Sequence, residues 1–270
     1  MPDAVARFTG FAAEYDTARP APPADLVEVL RQWARAAQPD VVDLGAGTGL
    51  STMIWAGRAR AVTAVEPSPD MRAVVAAKAE AAPAAPDGDR RESRFRVVAG
   101  TAENTGLPAE SADIITASQA MHWFDAARAL PEIARVLRPG GVFAAFDYDF
   151  PPCVDWAADA AYTEFDQRMT ELETARGLRP RHADKGGHLG VMRASGQFRY
   201  QAEIALHGRD RGDADRFVRL ALSQGGAVGL LRAGASEREI GLSRLREVAA
   251  RRLATPATWW WTYRVRLGVK

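Results

Sequence analysis

Cysteine is all but absent: Cys153 stands alone among 270 residues, which excludes an intramolecular disulfide framework. Long apolar runs are missing too. No stretch is long enough to span a bilayer, and Met1 to Arg7 carries no apolar core of the kind a secretory leader needs. Neither sign of charge prevails, since 35 Lys+Arg face 34 Asp+Glu for a net charge of +1. The arginines scatter rather than mass in one run, so no field draws the chain to nucleic acid. Lysine is confined to Lys78, Lys185 and Lys270, and there is no internal repeat. What remains is 47% hydrophobic and 26% charged, ordinary for a globular protein and incompatible with disorder. The length suits one generous domain, or one domain with a lid. The expectation is a cytoplasmic protein with neither membrane nor nucleic acid as a partner.

The first half alternates short apolar runs with helical periods, as a parallel sheet covered by helices does. Residues 24–37 put Leu26, Leu30, Trp33 and Ala37 on one stripe. The strand Val41-Val42-Asp43-Leu44 then runs into Gly45-Ala46-Gly47-Thr48-Gly49, with a helix expected directly after it. A second strand, Ala61 to Val65, ends at Glu66-Pro67, and the next helix turns Met71, Val74 and Val75 toward the sheet. Residues 83–94 read as a surface loop. Strands follow at Phe95 to Ala99 and Ala112 to Ala117, then a helix with Ala126, Leu130, Ile133 and Leu137 on one face. Arg138-Pro139-Gly140-Gly141 stops that helix, and a fifth strand covers Val142 to Asp147.

Beyond residue 150 the pattern changes. A polar helix is expected over 155–176 and a loop over 179–197. Phe198 to Leu206 and Trp259 to Leu267 alternate apolar and polar residues, with Arg264 and Arg266 on the wetter face. Such alternation marks antiparallel strands. Two helices, 213–224 and 236–253, lie between them. The division is 1–150 as the core, 151–197 as a cap, and 198–270 as two last strands with an insertion at 213–253, all in one domain.

The glycine cluster carries the chemistry. Glycines let the chain turn sharply and let a ligand rest on bare main chain, while free N–H groups face whatever binds. Glu66, at the end of the next strand, faces the same crevice, where a carboxylate accepts both hydroxyl protons of a ribose. A dinucleotide site requires G-x-G-x-x-G. Here the third glycine would fall at Leu50, and the spacing is G-x-G-x-G after Asp43. Glu66 itself does not discriminate, and a bare structural corner is the remaining alternative.

Asp43 to Gly49 resembles motif I of the class I methyltransferases that use S-adenosylmethionine (SAM). Gln119-Ala120-Met121-His122-Trp123-Phe124-Asp125 is similar to the branch that includes trans-aconitate and ubiquinone-biosynthesis methyltransferases. Tyr15-Asp16…Arg19-Pro20, Thr101-Ala102-Glu103…Leu107-Pro108 and Leu137-Arg138-Pro139-Gly140-Gly141 match the same branch. The resemblance covers residues 8–150 and fades beyond. It implies a doubly wound, seven-stranded Rossmann-like α/β sheet of order 3-2-1-4-5-7-6, the seventh strand antiparallel, with a helical cap. It also implies that Gly45, Ala46 and Gly47 line the methionine and ribose of SAM, with Asp43 supporting the loop and Glu66 on the ribose diol. Met71 would pack near the adenine, Ala102 and Glu103 would meet its edge, Ser118 and Gln119 would flank the methionyl end, and Tyr15 and Arg19 would close over the cofactor.

The expected reaction is methyl transfer to O, N or C of a small aromatic or hydrophobic molecule, leaving S-adenosylhomocysteine (SAH). A SAM-binding protein without transferase activity and an NAD-dependent oxidoreductase are the alternatives. His122, just past the fourth strand, is the catalytic candidate, as a base or an acceptor-orienting group; the rival role is a pocket wall shared with Trp123. His182 and His188 fall in the glycine-bearing loop and read first as surface histidines. Asp147 and Asp149 follow the fifth strand, where some relatives bind a divalent ion, but nothing else completes an oxygen-ligand set, so no metal is expected. Trp259, Trp260 and Trp261 read as sheet packing rather than a binding box.

Overall fold

A computed structural model describes residues 12–82, 94–178 and 184–270; the loop expected at 83–94 lies almost wholly outside them, as does His182. Seven strands form one sheet of order β3-β2-β1-β4-β5-β7-β6. They are β1 (Asp40–Leu44), β2 (Ala61–Val65), β3 (Arg94–Val98), β4 (Ala112–Ser118), β5 (Leu137–Tyr148), β6 (Tyr200–Gly212) and β7 (Ala257–Val269). The first five pair in parallel, and β7 runs antiparallel to β5, with Val142 opposite Val269 and Tyr148 opposite Tyr263. The expected sheet order and the reversed seventh strand are both present.

The contacts divide into two compact units. The larger holds the described residues of 21–148, 184–206 and 263–270. Its core is built where the continuous apolar runs predict it, with Leu44, Ile115, Leu130, Ile133, Phe143 and Ala145 fully buried together. Helices α2 (Ala24–Ala34), α3 (Pro69–Ala81) and α4 (Ala126–Val136) belong to it. In α2, Leu26, Val27 and Leu30 are buried. Arg35 then turns left-handed and ends the helix, so Ala37 leaves the expected stripe. Helix α4 starts where the Asp125 side chain accepts from the Ala127 N–H.

The smaller unit holds the described residues of 12–20, 149–178 and 207–262. It contains α1 (Ala12–Ala18), α5 (Trp156–Ala175), α7 (Ala214–Leu222), α8 (Gly225–Arg232) and α9 (Leu242–Arg252), so three helices, not two, fill the insertion before β7. Its core is aromatic: Tyr162 meets Phe165 and Phe217 edge-on, and Phe217 meets Trp259 likewise. Trp259 and Trp261 are buried and Trp260 is exposed, the packing expected of alternating strand residues.

Three further expectations are corrected. The loop read over 179–197 contains a 3₁₀ turn, Lys185–Gly187, and the helix α6, His188–Ala194; its glycines hid a short amphipathic turn that buries His188 and Met192. The glycine cluster is followed by a four-residue 3₁₀ turn, Thr52–Trp55, not an α-helix. Arg266 is not on a wet face, because it lies opposite Ala145 and reaches diagonally to a buried carboxylate, and that ion pair takes it into the interior.

Candidate functional site

All the residues of the glycine loop and its surroundings sit in the larger unit. The loop leaves β1 and is tied to β2 by the N–H groups of Gly45 and Ala46, which donate to Val65 O at 2.8 and 3.2 Å. Gly45, Gly47 and Gly49 all have positive φ, of 64°, 55° and 87°, a region that side chains rarely enter. At Gly45 an added Cβ would stand 2.8 Å from Ala120 Cβ, whereas at Gly47 it would meet nothing within 4 Å. The loop thus presents bare backbone to open space at Gly47, which is the cradle a nucleoside ligand requires.

Gly49 faces the other way. A Cβ there would lie 2.6 Å from Val75 Cγ2 and 3.1 Å from Val75 Cβ, on α3. Gly49→Ala is therefore expected to lose roughly 2–3 kcal/mol of stability, from the left-handed backbone and the clash together. The midpoint of urea unfolding checks it, and an unchanged midpoint would mean that α3 shifts freely.

Asp43 is fully buried and accepts from Thr52 Oγ1 and Thr116 Oγ1, both at 2.7 Å. It clamps the turn after the loop to β4 and faces no open space. Burial pushes its carboxyl up to about 6, against the pull of those hydroxyls. Glu66 accepts from Gly47 N–H at 2.9 Å and from Ser68 N–H at 2.8 Å. It is 7% exposed, and burial raises its carboxyl above the ordinary value although both N–H donors oppose this. Each oxygen, having taken one proton donor, keeps lone-pair capacity for another. Glu66 and the open face at Gly47 together fit a ribose.

Met71, near the start of α3, and Ala102, in the turn between Thr101 and Asn104 after β3, are buried. Glu103 Oε1 accepts from Asp125 N–H at 2.8 Å. Ser118 closes β4 opposite Phe146, and Gln119 follows with a φ of 51°, its N–H donating to Phe146 O at 2.9 Å. Tyr15 and Arg19 lie in the smaller unit. There Arg19 donates to Ser223 Oγ at 3.0 Å and to Ser223 O at 2.9 Å, and its guanidinium lies 4.4 Å from the centre of the Tyr15 ring.

At the carboxyl ends of β4 and β5 the larger unit gathers a second group of side chains. His122, on a short turn after β4, is buried, with Nδ1 3.9 Å from Asp147 Oδ1. Asp147 also receives Arg266 Nη1 at 3.1 Å, His188 Nδ1 at 3.4 Å and Lys185 Nζ at 3.5 Å. Lys185 donates to Gln119 Oε1 as well, which links this group to the loop at the end of β4. Burial disfavours the Asp147 carboxylate, but His188, Lys185 and His122 outweigh it and hold the group at about 2. The sequence placed His122 here and named Asp147 and His188 for other reasons; it missed Lys185 and Arg266. The signal for Arg266 was its place on the antiparallel strand beside the one that carries Asp147, two positions from the residue that faces it. Among the described residues no group of three or more His, Cys, Asp or Glu could hold a metal ion.

Comparison with known proteins fits this geometry. Residues 42–145 match the family model Methyltransf_11, described as a methyltransferase domain. That match takes in 104 of the 270 residues, from β1 into β5. An uncharacterized methyltransferase of Mycobacterium bovis is 39% identical over 136 residues, covering 50% of this chain and 49% of that protein. The malonyl-[acyl-carrier protein] O-methyltransferase of Serratia marcescens is 32% identical over 103 residues, covering 38% of this chain and 35% of that protein. The chain thus spans about half the length, or less, of these curated relatives. A solved structure from Anaeromyxobacter dehalogenans, assigned as a candidate type II methyltransferase, superposes with a TM-score of 0.65 at 27% identity. That match covers 93% of this chain and 97% of the other. The matched residues take in the glycine loop, Glu66, Glu103 and His122, and stop just short of Asp147. SAM is the cofactor of this family, and no described helix is long and apolar enough to cross a membrane.

Proposed function

We propose that the chain transfers a methyl group from SAM to a small organic molecule and releases SAH. The observation that carries the reading is the pairing of open backbone at Gly47 with the buried Glu66 carboxylate. In this reading Gly45, Ala46 and Gly47 hold the methionine and ribose portions, and Glu66 takes the ribose hydroxyls. Asp43 keeps the loop in place through Thr52 and Thr116. Met71, Ala102 and Glu103 surround the adenine, and Ser118 and Gln119 the methionyl end. For Tyr15 and Arg19 the assignment rests on the N-terminal motif alone.

When bound, the cofactor supplies a sulfonium methyl group that is already activated. The protein's work is then to align the acceptor and exclude water, which contributes about 7–11 kcal/mol in favourable cases. His122 takes the acceptor's proton where the acceptor keeps one at neutral pH, a contribution of about a hundred- to ten-thousandfold. The acceptor is small and aromatic or hydrophobic, and the branch is that of the trans-aconitate and ubiquinone-biosynthesis methyltransferases.

Titration of the purified chain with SAH and, separately, with NAD in a calorimeter tests the reading. Micromolar SAH binding without NAD binding is the expected result. A folded chain that binds NAD, or neither, would return the glycine loop to a dinucleotide site or a structural corner.

A further inference from the structure

Asp147 lies between two imidazoles. The rings of His122 and His188 are stacked, with centroids 6.3 Å apart and planes 11° from parallel, and each presents Nδ1 to a different oxygen of the same carboxylate. His188 is 1% exposed. Its Nε2 has no hydrogen-bond partner among the described residues, and a buried polar atom left so calls for a role beyond packing. The residue sits on α6, a different element from His122, so nothing local forces the two rings together. All the groups concerned belong to the larger unit.

We propose that His188 is a positioning residue for His122: the two imidazoles share the Asp147 carboxylate and hold a single proton between them. The inference rests on the methyl-transfer reading. As the acceptor's oxygen or nitrogen forms its new bond to the methyl carbon, that carbon's bond to the sulfonium sulfur would break with its electron pair left on sulfur, and the electron pair of the acceptor's bond to hydrogen stays on the acceptor atom. The proton passes to His122, and the resulting imidazolium is offset by Asp147. A second proton on His188 would place like charges about 6 Å apart, which in a partly polar interior separates the two protonation steps by about two pH units. The charged neighbours are fixed from every side. Arg266 on β7 is bonded to Asp147 and to Glu203 on β6, and Lys185, ahead of α6, closes the fourth side. With two permanent cations against two carboxylates, the cluster is neutral when both rings are neutral. It therefore accommodates one added proton far more readily than two.

Ring NMR of the isotope-labelled full chain tests this without acceptor or cofactor, since only four histidines are present. His122 and His188 are expected to titrate as a coupled pair, each sensing both steps. In His188→Gln the midpoint of His122 rises by at least about one pH unit, and in His122→Gln that of His188 rises by the same amount, because coupling is reciprocal. A purely structural His188 would not raise both midpoints by the same amount. Shifts below about 0.3 units, or clearly unequal ones, overturn the proposal. If His188→Gln fails to fold, the His188 midpoint in His122→Gln decides alone by the same one-unit criterion. Failure here would leave SAH binding intact, so it is distinguishable from failure of the methyl-transfer reading.

Discussion

Glu66→Ala is expected to weaken SAH binding by at least about a hundredfold while moving the melting temperature by less than about 4 °C. The two halves have different physical origins. Two ribose hydroxyls donating to a carboxylate form charge-assisted bonds of about 1.5–3 kcal/mol each, so their loss together exceeds the 2.7 kcal/mol that a hundredfold represents. In the free protein the same carboxylate contributes little net stability. It accepts from Gly47 and Ser68 N–H, yet burial raises its carboxyl above the ordinary value, so those two donors do not fully repay its desolvation. Removing it loses two hydrogen bonds and relieves a buried charge, and the terms nearly offset. Calorimetric titration with SAH and a thermal melt, run on the same sample, separate the halves. Retained affinity would show that Glu66 holds only the loop. A melting temperature lowered by more than about 10 °C would show that the loop depends on the carboxylate without any ligand.

The sheet was legible because its signals are local. Val41 to Leu44, Ala61 to Val65 and Ala112 to Ala117 are short apolar runs bounded by turn residues, and each forms a strand within a residue or so of the expected limits. The glycine loop was legible for the same reason: backbone freedom at Gly45, Gly47 and Gly49 and a carboxylate after β2 are properties of a few consecutive residues. The group around Asp147 was not, since it is assembled from β5, β7, the turn after β4 and the start of α6. No spacing within one segment announces it. Lys185 and His188 were hidden by Gly186, Gly187 and Gly190, which read as loop until packing turns the segment helical. Arg266 was hidden by its own charge: strict alternation sends an arginine to the wet face, and only the carboxylate two positions along the facing strand reverses that.

That reversal yields the second large effect. Asp147→Ala is expected to cost about 3 kcal/mol at pH 7, because it leaves Arg266, 2% exposed, with Glu203 as its remaining carboxylate. The more conservative Asp147→Asn keeps the shape and isolates the charge. The Asp147 carboxyl is held at about 2 in the folded chain, below its ordinary 3.8. A depressed carboxyl stabilises the fold at every pH above the unfolded value and loses that contribution as pH falls from 3.8 toward 2. The shift corresponds to about 2.4 kcal/mol. Asp43 works with the opposite sign. Its carboxyl is raised to about 6, so the fold is penalised above pH 6 by up to about 3 kcal/mol and recovers as pH drops toward 3.8. Glu132, its side chain 13% exposed, is lowered to about 2 as well and adds to the loss as pH falls below 4.5, whereas Asp155, lowered by its pair with Arg252 at the surface, contributes little net effect. Urea unfolding at pH 7, 5, 4 and 3 should therefore find the wild-type chain most stable near pH 4, where Asp43 has largely recovered and Asp147 is still ionised. Asp147→Asn should be weaker than wild type at pH 7 and 5 and converge on it toward pH 2. A constant difference across that range would mean that the asparagine disturbs packing and that the carboxylate's charge is not what holds Arg266 in the interior.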